Sequence, residues 1–296
     1  MQNLQFLIDM LTRGRKLHIS ILDLNGILNT PTTKIAFENV IHSKKFCDIA
    51  KSTEKGYRAC LHCKNLANTK ATTSKKAFCG HCLYGIYEVA MPVIVGDTVS
   101  AIVYVGNAIV DIDHTKKRIE KTCRYTHVDK QKLHEQIEAC EHVDHINELV
   151  GISEIVCDYI KMLYQTEPKE SSQLHWLVSA LKQHADQTYC FNPTLKELSV
   201  IYHKNEKYMG RLFKKEMHVS FHEYCLLLKL QKAESMLLKT TDKIIDIALE
   251  CGFDNISYFN RAFKKQYGMS PSEYIGKAQT ESANELSAQL LKKYLD

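Results

Sequence analysis

The sequence has 296 residues, a length that suits two domains of ordinary size. It is 45% hydrophobic and 25% charged, with 12 glycines and 5 prolines, which excludes a collagen-like, low-complexity or wholly disordered chain. The net charge of +5 permits a nucleic-acid partner without requiring one.

The N-terminal segment argues against export. Residues 1–16 have no basic region ahead of their apolar stretch, Asp9 interrupts that stretch, and no small-residue cleavage site follows. No run of about 18 apolar residues occurs. The 11 cysteines are an odd number, which fits poorly with a disulfide scaffold. The sequence therefore predicts a cytoplasmic protein with reduced cysteines and no membrane span.

The first 110 residues mix helical and strand patterns. We predict a helix over 4–11, a strand over 17–24 that ends in a turn, and a helix over 55–75. Two β-rich runs, 84–95 and 98–105, flank Gly96-Asp97, which is a strong hairpin signal. This order predicts an α+β sensor domain of the PAS/GAF type, whose sheet and helices enclose a small-molecule pocket.

The pattern over residues 130–163 predicts one or two helices. Its apolar stripe is wide enough for a partner helix. Burial in the same domain and pairing with a second copy of the chain, to transmit a signal, both stay open. The next segment, 166–172, is polar and contains Pro168, which predicts a linker between domains.

Five of the eleven cysteines lie between Cys47 and Cys82. The four residues Cys60, Cys63, Cys79 and Cys82 have the spacing of a four-cysteine metal site, which would hold zinc or an iron–sulfur cluster. Cys47 is a competing ligand. A redox or pocket-lining role and plain packing in the core stay open beside the metal site. The other six cysteines, from position 123 to 251, are expected to be core thiols.

An internal repeat lies near the C-terminus. Residues 208–224 align with residues 258–274 at an offset of 50, and 8 of the 17 positions are identical. Each copy predicts a helix, a tight turn and a second helix. In the second copy Gly252 supplies a backbone that tolerates positive φ in the turn, and Asn255 or Ser257 can cap the helix that follows.

The second helix of each copy has an apolar face and a polar-to-basic face. This pattern is typical of a recognition helix in the DNA major groove, where Asn and Arg contact base edges and Lys contacts phosphates. The solvated face of a helical bundle is the alternative, but the repeated Tyr-x-x-Arg-x-Phe-Lys-Lys favours DNA. The predicted DNA-binding residues are Asn205, Lys207, Arg211, Lys214, Asn255, Ser257, Asn260, Arg261 and Lys264.

Residues 220–238 form an amphipathic segment that predicts one rigid helix between the two copies. Such a joint would let the two recognition helices enter successive major grooves about 34 Å apart. Residues 173–275 contain 14 Lys and Arg against 11 Asp and Glu, a net charge of +3, so most of the basic surplus lies in this region. Binding to DNA should therefore be sensitive to salt, and dimerisation would raise affinity by avidity.

The repeat region resembles the DNA-binding domain of the AraC/XylS family of transcriptional regulators. The resemblance rests on Gly252-Phe253-Asp254, Ser257-Tyr258-Phe259, Arg261, Phe263-Lys264-Lys265 and Gly268-Met-Ser-Pro271. Two departures concern function: Lys229 stands where the linker helix usually has Arg, and Gly210 leaves an outward position of the first recognition helix without a side chain. Base recognition by the first helix is then expected to depend on Asn205, Lys207 and Arg211.

A second resemblance covers about residues 5–165. Phe46-Cys47, Cys60-x-x-Cys63, the segment 82–95 and Gly106-Asn107 are similar to the PocR sensory domain. That family includes regulators of propanediol use and cobalamin synthesis. The resemblance implies that a small metabolite such as a diol binds the N-terminal domain and controls an AraC-type output.

These patterns predict four segments: a PocR-like sensor over 1–165, a linker over 166–172, an all-α domain with two helix-turn-helix units over 173–280, and a helical tail over 281–296. They predict a transcriptional regulator, an activator of a catabolic operon, with promoter DNA, RNA polymerase and a second copy of the chain as partners. A metal- or redox-sensing regulator that uses the cysteines from Cys47 to Cys82 is the alternative. No P-loop, G-x-S-x-G, H-E-x-x-H or dinucleotide fingerprint occurs, so we do not expect an enzyme.

Overall fold

The computed structural model describes residues 3–40, 42, 44–166 and 175–277. The predicted linker after residue 166, both ends of the predicted 173–280 domain and the predicted tail 281–296 lie outside the described residues. The described residues form two compact units, one of those up to Ala180 with Lys196–Met209, and the other of Leu181–Leu195 with those from Gly210 to Lys277. Among the described helices, none is long and apolar enough to cross a membrane.

The regular elements follow one another along the chain in this order: α1 (Leu4–Thr12), β1 (His18–Asp23), α2 (Lys45–Ala50), α3 (Glu54–Ser74), β2 (Phe78–His81), β3 (Tyr87–Val95), β4 (Thr98–Ile109), α4 (Ile112–Thr126), α5 (Lys130–Glu135), β5 (Glu141–His142), α6 (Ile146–Thr166), α7 (Trp176–Thr188), α8 (Leu195–Tyr202), α9 (Glu206–Met217), α10 (Phe221–Lys239), α11 (Ile244–Glu250) and α12 (Ile256–Tyr267).

The first unit contains a sheet with the strand order β2-β3-β4-β1, in which all neighbours are antiparallel. The short β5 pairs in parallel with the end of β4. The β3–β4 hairpin turns at Gly96, whose φ of +60° lies in the left-handed region that the predicted turn requires. The unit therefore combines a mainly antiparallel sheet with helices, as the sequence predicts.

The two faces of the sheet pack differently because side chains alternate along each strand. On one face, apolar residues such as Ile19, Val103 and Val105 pack against α1 and α6 in a wholly apolar cluster. On the other face, Ile102 and Tyr104 contact α3. This second face also contains several polar residues, so it is the more polar of the two faces.

Most predicted elements of this unit are confirmed, with one correction. The strand predicted from position 84 begins at Tyr87, because Gly85 (φ +91°) forms a turn before it. The one or two helices predicted over 130–163 are two, α5 and α6, which β5 separates. The helices α2 and α4 and the strand β2 are additions that the sequence patterns did not predict.

In the second unit, α10 is the predicted long helix, and α11 and α12 pack against it around one apolar cluster. Phe259 and Phe263 of α12 are fully buried there, as their spacing predicts. Ser220 begins α10 with a capping box, in which its hydroxyl accepts from the Glu223 amide and the Glu223 carboxylate accepts from the Ser220 amide. The helix α12 is thus held by its apolar face, which leaves its opposite face to solvent.

Candidate functional site

The helix α12 is fixed at its start by a side-chain cap and by the turn that precedes it. Asn255 Oδ1 accepts from the amides of Ser257 (2.8 Å) and Tyr258 (3.1 Å), so Asn255 is the cap of the two residues that the sequence allowed. Gly252 turns the chain with φ +80°, and a Cβ there would overlap the Cys190 carbonyl. No other residue type fits this turn without displacing the backbone.

A buried lysine connects this turn to α10. The Lys229 ammonium donates to the Gly252 carbonyl and to Asn192 Oδ1, and its side chain is almost fully buried. Burial lowers the pKa of Lys229, while Asp254 raises it. Lys229 therefore holds the turn by direct hydrogen bonds.

The helix α9 repeats the arrangement of α12 at the offset of 50 residues. Asn205 Oδ1 accepts from the Tyr208 amide at 3.2 Å, as Asn255 does for Tyr258. Met209 and Phe213 are fully buried on the inner face, and Leu212 is half-buried. The Ser220–Glu223 capping box also has a counterpart in Ser270 and Glu273, with the same pairs of hydrogen bonds. The duplication therefore extends from sequence to caps and core contacts.

The structure places every predicted DNA-binding residue on the surface. On α12, Ser257, Asn260, Arg261 and Lys264 share one exposed face by their spacing. On α9, Lys207, Arg211 and Lys214 do the same, with Gly210 between them. All nine predicted positions are exposed, and Asn205 and Asn255 are helix caps as well.

These exposed cations have no anionic partner in the part of the chain that the structure describes. The ion pairs between described residues include none of these five cations: Lys207, Arg211, Lys214, Arg261 and Lys264. Lys214 contributes to the lowered pKa of Glu223 only after the Ser220 hydrogen bonds, and Lys264 acts in the same way on Glu273. The two helix faces therefore keep positive charge available for an external anion such as a phosphate backbone.

The four-cysteine metal site predicted from Cys60, Cys63, Cys79 and Cys82 is not assembled. Cys79 lies exposed on β2, where its sulfur is next to the Tyr87 hydroxyl. Among the described residues, no group of three or more His, Cys, Asp or Glu side chains is arranged to hold a metal ion. The prediction of zinc or an iron–sulfur cluster rested on the spacing of the four cysteines alone. The β2 strand instead separates the two thiols.

The remaining thiols of this group surround one region beneath α3. They are half-buried and free of disulfides, and they are Cys47, Cys60, Cys63 and Cys82. Burial raises the pKa of Cys47 to about 12 and also raises the pKa values of the other three. All four are therefore uncharged thiols near neutral pH. Of the six other cysteines, five are buried as expected and Cys190 is half-buried.

A cluster of polar side chains lies beside these thiols, and the sequence patterns did not predict it. We call it the polar cluster: His42, Lys64, Asn68, Glu88 and Tyr104. The Lys64 ammonium donates to His42 Nε2 at 3.1 Å, lies 3.7 Å from a Glu88 oxygen, and sits 2.9 Å from the centre of the Tyr104 ring. The Tyr104 hydroxyl donates to Asn68 Oδ1 at 2.5 Å. Burial lowers the pKa of His42 well below its ordinary value, so His42 is neutral.

The strand registers show why these residues meet. His18 pairs with Gly106, and Ser20, Tyr104 and Ala90 form the next row on the face toward α3, while Glu88 lies at the register shift between Tyr87 and Val89 of β3. A Cβ on Gly106 would lie 2.8 Å from the Glu88 Cβ, so Gly106 leaves room for Glu88. Polar residues at alternate positions of otherwise apolar strands were the signal that could have indicated this cluster.

Two family models match the chain. The model of the sensory domain found in PocR matches residues 1–166, more than half of the chain. The model of a helix-turn-helix domain matches residues 198–277. The two matches cover the regions that contain the polar cluster and the two repeated helices.

Curated proteins and solved structures resemble shorter parts of the chain. The HTH-type transcriptional regulator YijO of Escherichia coli is 29% identical over 112 residues, which are 38% of this chain and 40% of that protein. The transcriptional activator RhaR of Yersinia pseudotuberculosis is 29% identical over 108 residues, 36% of this chain and 35% of that protein. The chain thus spans well under half the length of these relatives. The C-terminal domain of AraT from Geobacillus stearothermophilus is 30% identical, with a TM-score of 0.35 over 36% of this chain and 88% of that one.

Proposed function

The chain belongs to the AraC-type transcriptional regulators that have a PocR sensory domain, and on this basis we propose that it binds promoter DNA sequence-specifically under the control of a small metabolite. The observation that supports DNA binding most directly is the repeated helix face. Two helices at an offset of 50 residues present Arg and Lys at matched exposed positions without anionic partners among the described residues. An ordinary solvated helix face would contain Asp or Glu at the spacings that pair these cations.

In this proposal α8–α9 and α11–α12 are two helix-turn-helix units, and α9 and α12 are their recognition helices. Arg211 and Arg261 contact base edges, since a guanidinium can donate two hydrogen bonds to guanine. Lys207, Lys214 and Lys264 neutralise phosphates. Asn205 and Asn255 use Oδ1 for the helix caps, so their amide nitrogens remain to donate to phosphates. Ser257 and Asn260 complete the contacts of α12.

For the input, we propose that the first unit is a sensor of the PAS/GAF type that binds a metabolite such as a diol. Its support is the sheet with helices on both faces and the membership in the PocR family. The output is activation of a catabolic operon. A metal-sensing alternative is not favoured, because the described cysteines form no ligand set. The absence of catalytic motifs and the family both support a regulator rather than an enzyme.

Two exposed apolar surfaces suit the proposed protein partners. Ile155 and Met162 are about half exposed on the outer side of α6, and this face suits pairing with a second copy of the chain. Ile245 and Leu249 of α11 line a cleft of about 310 Å³ beside Asp254, which suits a basic segment of RNA polymerase. Both assignments follow the family and the surface chemistry.

The DNA assignment is tested with the full chain and a binding site selected from random duplex DNA. Fluorescence anisotropy compares the wild type with the double variant Arg211→Ala/Arg261→Ala. Each arginine that contacts a base is worth about 1–3 kcal/mol, so we expect the affinity to fall at least about 30-fold. Arg124→Ala, at an exposed arginine of α4, is the control for the loss of one such positive charge outside the repeated helices and should bind normally. Unchanged binding by the double variant, with an intact circular dichroism spectrum, would disprove the assignment.

A further inference from the structure

One pair of identical residues in the two repeats is not explained by the core or by a helix cap. The identical pairs with a structural role are buried, form a capping box or its counterpart, or donate to a carboxylate: Phe213/Phe263, Ser220/Ser270, Glu223/Glu273 and Tyr224/Tyr274. Three more pairs are exposed cations, namely Arg211/Arg261, Lys214/Lys264 and Lys215/Lys265. The pair that is left is Tyr208 and Tyr258.

These two tyrosines are exposed to a similar extent. Tyr208 keeps 42% of its surface accessible and Tyr258 keeps 40%. Asn205 and Asn255 hold their backbone amides, and the ring of Tyr258 lies 6.1 Å from that of Phe253. Neither hydroxyl hydrogen-bonds to another described residue. Each hydroxyl can therefore donate to a group outside the chain.

On α12 the tyrosine lies at one edge of the exposed face. A helix turns by about 100° per residue, so positions seven apart differ by only about 20°. Tyr258 therefore shares one edge with Lys265, and Ser257 shares the other edge with Lys264. Arg261 lies between the two edges, and all five residues are exposed. We call the first of these the tyrosine edge and the second the opposite edge.

The helix α9 has the same two edges. Tyr208 and Lys215 are seven positions apart and form its tyrosine edge, while Lys207 and Lys214 form its opposite edge. The tyrosine edge is identical in the two helices, whereas the opposite edge begins with Lys207 in one and with serine in the other. The lysines of both tyrosine edges belong to none of the ion pairs between described residues.

Two edges with an arginine between them match the shape of a major groove. The groove is about 12 Å wide, and a helix inside it has base edges in front and a phosphate backbone on either side. Arg211 and Arg261 then meet bases, and each edge meets the phosphates of one strand. Tyrosine hydroxyls are among the side-chain groups that donate to DNA phosphates. Phosphates occur at every base pair, so they suit an edge that is identical in two helices.

We propose that Tyr208 and Tyr258 are DNA-contact residues, and that each hydroxyl donates to a phosphate oxygen on the strand that Lys215 or Lys265 also contacts. The proposal rests on the proposed function, in which α9 and α12 enter the major groove. It gives each recognition helix a second edge that contacts phosphates, on the other strand from the opposite edge. The tyrosines hold the helix in register, and they read no base.

The first test removes only the two hydroxyls. Fluorescence anisotropy with the full chain compares the wild type with Tyr208→Phe/Tyr258→Phe, on the selected duplex and on a duplex of unrelated sequence. One hydrogen bond to a phosphate is worth about a factor of five, so we expect both affinities to fall about 25-fold. The slope of log affinity against log salt should not change, because a hydroxyl displaces no counterion. Tyr125→Phe, at an exposed tyrosine of α4, should bind like the wild type.

Two results of this test would overturn the proposal. Wild-type affinity of the double variant would show that the hydroxyls do not contact DNA. A loss confined to the selected duplex would mean that the tyrosines contact bases instead of phosphates. In either case, weak binding by Arg211→Ala/Arg261→Ala would leave the DNA assignment intact. A wild type that binds neither duplex would contradict the proposed function together with this proposal.

A second test locates the contacts on the duplex. Single phosphates of the selected site are replaced by uncharged methylphosphonates, and the wild type is compared with Tyr258→Phe. At the phosphate that Tyr258 contacts, the replacement should weaken the wild type and have much less effect on the variant. Lys265→Ala should lose sensitivity on the same strand, and Lys264→Ala on the other strand. A tyrosine contact on the strand of Lys264 would contradict the assignment of the edges.

Discussion

The exposed faces of α9 and α12 and the polar cluster differ in how their charges are compensated. On α9 and α12 the functional candidates are exposed cations without partners among the described residues, whereas in the polar cluster Lys64 and Glu88 compensate each other beneath α3. Water solvates an exposed cation at little cost, so the cations of a surface that binds a polyanion need no counter-charge before binding. An enclosed charge has no such support, and it must be paired before any ligand arrives.

The two regions also differ in how the chain assembles them. One helix supplies Ser257, Asn260, Arg261 and Lys264 at successive turns, so their common face follows from helical geometry alone. The polar cluster requires a loop, a helix and two strands, with His42 and Tyr104 far apart in sequence. A displacement of any one of these elements therefore disturbs the polar cluster, because its residues depend on the packing of all of them. The exposed faces of α9 and α12 are disturbed only through the attachment of each helix to the core.

The substitution with the largest expected effect tests how the turn before α12 attaches this helix to the core. Replacing Gly252 by Ala puts a Cβ into the Cys190 carbonyl at a left-handed backbone position. We expect the free energy of unfolding to fall by about 3 kcal/mol or more, the sum of backbone strain and overlap. Urea denaturation measures it, and anisotropy should show weaker DNA binding because the turn before α12 is displaced.

Gly268 provides the control for this variant within the same domain. It has a φ of +79°, like the +80° of Gly252, but a Cβ there would meet no atom within 4 Å. Gly268→Ala should therefore cost only the strain of about 1 kcal/mol. If the two variants were equally unstable, the overlap at Gly252 would add nothing to the loss of stability. The turn would then not be what fixes the start of α12.

The prediction of intermediate size concerns pH, and it tests how much stability the burial of titratable groups costs. Burial lowers the pKa of His18 to about 4, although its Nε2 donates to the Glu38 carbonyl at 2.8 Å. Between pH 6.5 and 4 the unfolded chain takes up a proton that the folded chain refuses, so stability falls as the pH falls. At pH 5 the expected loss relative to pH 7 is about 2 kcal/mol from His18, and His42 acts in the same direction.

Urea denaturation followed by the fluorescence of the single tryptophan, Trp176, measures this loss at both pH values. His18→Asn removes the group that titrates, so its stability should depend less on pH than that of the wild type. The exposed His222 is the matched position, and His222→Asn should leave the pH dependence as it is. An unchanged dependence in His18→Asn would show that His18 is not a buried, neutral group in the folded chain.

The buried and exposed faces of α9 and α12 were predictable from sequence, and the polar cluster was not. The repeat identified the inner positions Met209 and Phe259 and the outward positions because a helix converts spacing directly into a face. The pattern Cys79-x-x-Cys82 was misleading because spacing alone does not show that β2 ends between the two residues. Glu88 lies next to Gly106 at a register shift of β3 between Tyr87 and Val89, and no local pattern gives the position of such a shift.

The smallest expected effect tests whether the exposed cations of the two repeats are equivalent. Lys214 and Lys264 occupy the same position in α9 and α12, both exposed and without ion pairs within the described chain. If each contacts one phosphate, Lys214→Ala and Lys264→Ala should each reduce the slope of log affinity against log salt by about 1. Anisotropy at several salt concentrations gives the slopes, and Lys116→Ala on α4 should leave the slope as it is. A change for Lys264 alone would mean that only the second repeat meets DNA at this position, because phosphate contacts depend on charge and placement rather than on sequence.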